Sequence, residues 1–156
     1  RRNYFLIMLK AIRRLAAFCL CIGLCWGLMI PASSEAASSK PVDLSVLKRQ
    51  AEAFTNTKAR LPELARLVSN EDWTFTRNLI HGPMQEVGRE MLFINQSLDR
   101  TERKNADKLA RSLKDALAGL DEAARLQDAG QMQKAYGSLA ASFDAYSDII
   151  PAEALS

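Results

Sequence analysis

The sequence predicts an all-α domain, an up-down-up-down four-helix bundle, behind an N-terminal signal segment that is cleaved. Three observations predict it. Apolar residues after position 40 recur at steps of three and four through four long windows. No window alternates with period two over a useful length, so no sheet is expected. The first 36 residues follow the basic, apolar, small order of an export signal.

The leader, residues 1–36, begins with a basic stretch from Arg1 to Arg14. Leu15 to Ile30 follow as sixteen residues without charge, ended by Pro31 and the small residues Ala32, Ser33 and Ser34. A spanning helix needs about 20 apolar residues, so a retained membrane anchor is the weaker alternative. Met8 opens a compact basic region, and the residues before it read as an upstream extension. Ser34-Glu35-Ala36 places small residues at −3 and −1 and predicts cleavage before Ala37. A lipoprotein signal would instead be cut before Cys25, which would carry the lipid; Leu24 stands there where a small residue is wanted. Arg13-Arg14 also permits export by the twin-arginine route.

With 156 residues, 48% of them hydrophobic, the chain suffices for one domain with a real core. The formal charge of +3 is misleading. Residues 1–39 hold five cations and one anion, whereas residues 40–156 hold 16 cations and 17 anions, so the body has no net attraction for nucleic acid. Cys19, Cys21 and Cys25 all lie in the leader, and one His follows it. That excludes from the body a Cys/His zinc site, a c-type haem and a cysteine nucleophile.

Residues 37–41 (ASSKP) read as a linker, with Pro41 suited to the first turn of helix one. The helices are expected near 42–68, 71–97, 101–128 and 131–149, within a bundle spanning 42–151 and followed by a tail, 152–156. The first window contains Leu44, Leu47, Ala51, Phe54, Leu61, Leu64 and Val68; the second Trp73, Ile80, Met84, Val87, Met91, Ile94 and Leu98. The third contains Leu109, Leu113, Ala116, Leu120 and Ala123; the fourth Met132, Tyr136, Leu139, Phe143, Tyr146 and Ile150. Ser69-Asn70-Glu71-Asp72 supplies a cap before helix two, and Asp99 with Glu102 resembles a capping box. Gly130 is expected to close helix three in the left-handed conformation, and Pro151 to stop helix four. Pro62 and Pro83 should each kink or break a helix.

The residues offer little for catalysis. A di-iron bundle needs Glu-x-x-His pairs, and the single His81 has Asn78 at that spacing. No glycine-flanked serine elbow, Walker loop or dinucleotide fingerprint occurs. No catalytic residue, metal ligand set, cofactor or small-molecule substrate is therefore expected. Trp73 and Phe75 cannot share one helical face, so one of them should be exposed. The mixed charges of 99–115 read as a solvated face, with a docking surface as the alternative. The segment Trp73 to Pro83 is where local rules conflict, because Gly82-Pro83 interrupts a helix at a cost of about 3 kcal/mol or more. Trp73, Arg77, Asn78 and His81 are accordingly the candidate partner-binding residues, turned toward a partner or bracing helix one at Pro62.

One combination carries more than periodicity. Arg60-Leu61-Pro62-Glu63-Leu64, then Glu71-Asp72-Trp73, then Arg77-Asn78-Leu79-Ile80-His81-Gly82-Pro83 closely resembles the signature of the PsbQ family, extrinsic lumenal subunits of photosystem II. A weaker likeness continues to Phe143-Asp144-Ala145-Tyr146 and Pro151. The chain looks like a cyanobacterial member. The resemblance implies a four-helix bundle in the thylakoid lumen, peripheral on the membrane. It implies as partners the large chlorophyll-binding core antenna and the manganese-stabilising extrinsic protein. It also implies a role in stabilising the oxygen-evolving complex and retaining calcium and chloride, without catalytic residues. Cyanobacterial members are commonly lipoproteins, a pattern from which Leu24 departs. The alternative, from another class, is an exported periplasmic helical adaptor or chaperone. Residues 129–146 look repeat-like, but a repeat array needs self-similarity at about 34 residues, and one such window occurs.

Overall fold

Every α-helix and turn described here lies within residues 43–156 of a computed structural model, and no strand occurs among those residues. Six α-helices follow one another: α1 Leu44–Lys58, α2 Leu61–Ser69, α3 Trp73–His81, α4 Val87–Ser97, α5 Arg100–Arg125 and α6 Ala129–Ser147, with a closing 3-10 turn at Ala152–Ala154. The expected leader, its cleavage before Ala37, Cys25 and the 37–41 linker lie outside the described residues.

Four expected helices become six because each interior proline marks a break. At the first, Pro62 does not interrupt a continuing helix. It occupies the first turn of α2, where its missing N–H has no intrahelical partner to lose. Ala59 and Arg60 stay close to helical geometry between α1 and α2, so this break is a bend. The second break is wider, running through Gly82–Glu86. A Cβ on Gly82 would sit 2.8 Å from the Asn78 carbonyl oxygen, so this turn requires glycine. The non-helical segment carries Met84 into full burial, with its N–H donating to the Leu79 carbonyl at 3.2 Å.

Four of the six helix starts use aspartate. Asp43 caps α1, Asp72 caps α3, Asp99 caps α5 and Asp128 caps α6, each accepting from one or two backbone N–H groups of the first turn. Asp43 therefore opens the first helix, and Pro41 lies outside the described residues. The expected role of Gly130 is also corrected. It lies inside the first turn of α6, and the left-handed residue is Gln127, with φ 56°. Asp128 N–H reaches back to the Ala123 carbonyl at 3.0 Å, closing a Schellman-type turn. Glu71, with φ 54°, does the same before Asp72, whose N–H reaches the Leu67 carbonyl at 2.9 Å. A non-glycine residue in this conformation costs about 1 kcal/mol, so Gln127→Gly is expected to be neutral or stabilising by up to that amount in urea unfolding. Pro151 opens the 3-10 turn, whereas α6 has already ended at Ser147.

The core assembles from the predicted faces. Leu47, Ala51, Phe54, Leu64, Met91, Ile94, Leu113, Leu120, Leu139, Phe143 and Tyr146 are all buried. Leu44, at the end of α1, is instead exposed. Helices α5 and α6 pack along each other, α1 packs on α4, and both α3 and α4 lie against α5, while α2 contacts α3 and α6. Phe54 from α1 meets Phe143 and Tyr146 from α6, with ring centroids 5.5 and 4.9 Å apart. Among the described residues no helix is long and apolar enough to cross a membrane.

One buried carboxyl interrupts this apolar seam. Glu90 in α4 is 8% exposed and accepts the Thr57 hydroxyl at 3.2 Å. Burial pushes its carboxyl above the ordinary glutamate value, against the lowering effect of the Thr57 hydrogen bond, and Glu86 adds to the rise. The protonated form is thus favoured by the fold. Its contribution is complete below the unfolded value and is lost as pH rises through the raised folded value. Glu90→Gln is expected to remove that loss, so the variant should gain on the wild type between pH 4 and pH 8 in urea unfolding. Parallel pH curves for the two proteins would contradict this.

Candidate functional site

Helix α3 positions the four predicted contact residues. Asp72 fixes its start by accepting the Phe75 N–H at 3.1 Å, and Gly82 fixes its end. Within it, Thr76, Leu79 and Ile80 face the interior, and Trp73 is half-buried against the core. Phe75 is therefore the exposed member of the aromatic pair, at 60%. Arg77 and His81, one turn apart, fall on one edge of the helix.

That edge does not reach helix one at Pro62. It meets α5. Arg77 Nε donates to Asp121 Oδ1 at 2.9 Å, and His81 Nε2 lies 2.9 Å from the same oxygen. Burial pushes the Asp121 carboxyl up, but the hydrogen bonds and charges of Arg77 and His81 together outweigh it and hold the group below the ordinary aspartate value. The clamp therefore contributes stability above the unfolded aspartate value and loses it as pH falls through the lowered one. Asn78 is exposed between two shallow recesses. One is bounded by Glu63, Arg66 and Phe75, and the other by Trp73, Arg125 and Gln127.

The four residues thus separate into roles. Trp73 and Arg77 hold α3 to the body, His81 does so while remaining 59% exposed, and Asn78 faces solvent. Arg77 is half-buried and His81 exposed, so this is a surface pair, and replacing Arg77 and His81 together by Ala should cost less than about 1 kcal/mol. A thermal melt checks this, and a loss of several kcal/mol would make the pair a structural clamp first.

Sequence reasoning missed Asp121, whose signal was weak: one acid beside the core residue Leu120. It also missed the polar group at the other end of α4. There Tyr146 Oη lies within hydrogen-bond reach of the Met91 carbonyl and Asn95 Oδ1, and Asn95 Nδ2 donates to Asp107 Oδ1 at 2.8 Å. Arg103 donates to the carbonyls of Asn95, Gln96 and Leu98 at 2.8–3.0 Å, closing the end of α4 against α5. Among the described residues no group of three or more His, Cys, Asp or Glu is placed to hold a metal ion.

This helical succession, with its Leu-Pro bend, its α3 clamp and its Gly-Pro break, lies within a family match. Residues 40–151 match the family described as PsbQ, oxygen evolving enhancer protein 3. The chain belongs to the PsbQ family. It is also similar to CyanoQ from Synechocystis sp., with 31% identity over 88 residues, which covers 56% of this chain and 59% of that relative. The residues that this PsbQ-family chain places on α3 all fall inside the matched span, as do Asp121, Asn95 and Tyr146.

Proposed function

We propose that this chain is a non-enzymatic extrinsic subunit of photosystem II, peripheral on the lumenal side of the thylakoid membrane. There it stabilises the oxygen-evolving complex and supports its retention of calcium and chloride. The observation that carries this reading is the family match over residues 40–151, and the likeness to CyanoQ supports it. In this reading the six helices act as four rods of an up-down-up-down bundle, with α1–α2 and α3–α4 as the two interrupted rods. The bundle docks against the large chlorophyll-binding antenna and the manganese-stabilising extrinsic protein. Binding only the assembled complex stabilises that assembly by mass action. Asn78 and the exposed edge of His81 are the members of the α3 set that meet the partner.

The test is purification of oxygen-evolving complexes from thylakoids. The chain is expected to co-purify with them, and its deletion to lower oxygen evolution in calcium- or chloride-poor medium. Recovery only in a periplasmic fraction, with oxygen evolution unchanged by deletion, would favour an exported adaptor instead. Residues 1–36 act in the same reading as an export leader. Intact mass then separates a chain beginning at Ala37 from one beginning at an acylated Cys25.

A further inference from the structure

One groove opens at the end of the domain where α1 and α5 begin and where α4 and α6 finish, and it holds about 700 Å³. Its wall is apolar, with Leu44, Leu47, Leu98, Ile149 and Pro151 lining it. Leu44 follows the core-facing period of α1 yet is 44% exposed, so the described residues leave a core-patterned side chain uncovered here. The rim is acidic. Glu102, Asp148 and Glu153 line the same groove, each is exposed, and no Lys or Arg is among the lining residues. Among the described residues none of these three acids forms an ion pair. The nearby bases keep their charge but stand outside the lining. Arg103 donates to the carbonyls of Asn95, Gln96 and Leu98, and Lys48 donates to the Ser156 carbonyl at 3.1 Å. Arg100 and Lys104 each lie about 160° around α5 from Glu102.

An apolar floor inside a polar rim is the plan of a protein–protein contact patch. We infer that this groove is a docking site for a basic segment of a partner protein, one that sets a cation among the three rim carboxylates and an apolar side chain against Leu44. Each feature fixes part of that occupant. A cleft lined by charges of one sign focuses their field, so Glu102, Asp148 and Glu153 together select a cation. Leu44 and the half-buried Ile149 select an apolar group beside it, because covering them removes apolar surface from water. A nucleic acid or an anionic membrane surface would bring phosphates against the same carboxylates and be repelled. A bare metal ion is offered no site, since among the described residues no group of three or more His, Cys, Asp or Glu is placed to hold one.

This inference rests on the proposed association with photosystem II and names a groove that takes part in it. The test uses the purified protein and photosystem II particles stripped of it. Glu102→Gln/Asp148→Asn/Glu153→Gln should lose at least about tenfold in affinity for the particles, with a shallower dependence on sodium chloride. Its helical circular dichroism and melting should stay close to wild type, because all three side chains are exposed. Leu44→Ala should weaken rebinding and leave the salt dependence in place. Carbodiimide coupling of the rebound wild type should join one of the three acids to a lysine of a photosystem II subunit. Equal rebinding of the triple variant would overturn the groove and leave the association standing. Failure of the wild type to rebind would overturn both. Coupling of these acids to Lys40 of the same chain, or to a second copy, would assign the groove to that occupant and overturn the partner.

Discussion

Phe54→Ala is expected to destabilise the domain by about 3–5 kcal/mol, the range for removing a buried aromatic ring from a core that cannot collapse. The ring is 0% exposed and lies where α1 crosses α6, against Phe143 and Tyr146. Its removal takes away the apolar area it keeps from water and opens a void lined by two other rigid rings. Neither can turn to fill it, because Tyr146 is tied at its hydroxyl and Phe143 is itself fully buried. For a domain of this size the loss should lower Tm by more than about 10 °C. A loss below about 1 kcal/mol would mean that α1 does not seal this seam.

Tyr146→Phe is expected to cost about 1–3 kcal/mol although it deletes a single oxygen. Burial drives the Tyr146 hydroxyl far above the ordinary tyrosine value, and the nearby Asp107 charge adds to this, so the group remains a donor throughout the neutral range. Its removal leaves Asn95 Oδ1 buried without that partner, and Asn95 in turn holds Asp107. Asn95→Ala should therefore share most of the loss. The double variant is expected to fall short of the summed single losses, with a coupling of about 0.5–3 kcal/mol in a double-mutant cycle. Additive losses would show that the two side chains act separately. The sign on the alkaline side also follows. The hydroxyl's contribution is full below the unfolded tyrosine value and is lost as pH rises through the raised folded one.

The core faces were legible because burial repeats with the helix turn, and Leu47, Phe54, Leu113 and Phe143 stand where that period puts them. Leu44 follows the same period yet is exposed, since a helix end has fewer neighbours to cover it. Pro62 and Pro83 located the breaks, but whether a proline bends a helix or separates two depends on what the chain must bury there. Met84 is the buried residue at the wider one. Gly130 misled for a physical reason. Glycine is the usual left-handed residue, but the Asp128 carboxylate accepts the Gln131 N–H at 2.9 Å and so begins α6 ahead of it. In the candidate site, the common edge of Arg77 and His81 follows from their spacing. Their acceptor, 40 and more residues along the chain, is set by how α3 lies on α5, which local pattern does not encode.

Trp73 gives the α3 seam an optical reporter. Of the two tryptophans in the chain, Trp26 belongs to the expected leader, so a protein beginning at Ala37 carries a single indole. That indole sits half-buried at the first turn of α3, in the recess bounded by Arg125 and Gln127. Its emission therefore reports on one helix, and detachment of α3 from α5 would shift it to the red before the rest of the domain lost its circular dichroism. A partner that covered Asn78, which lines the same recess, would change that emission.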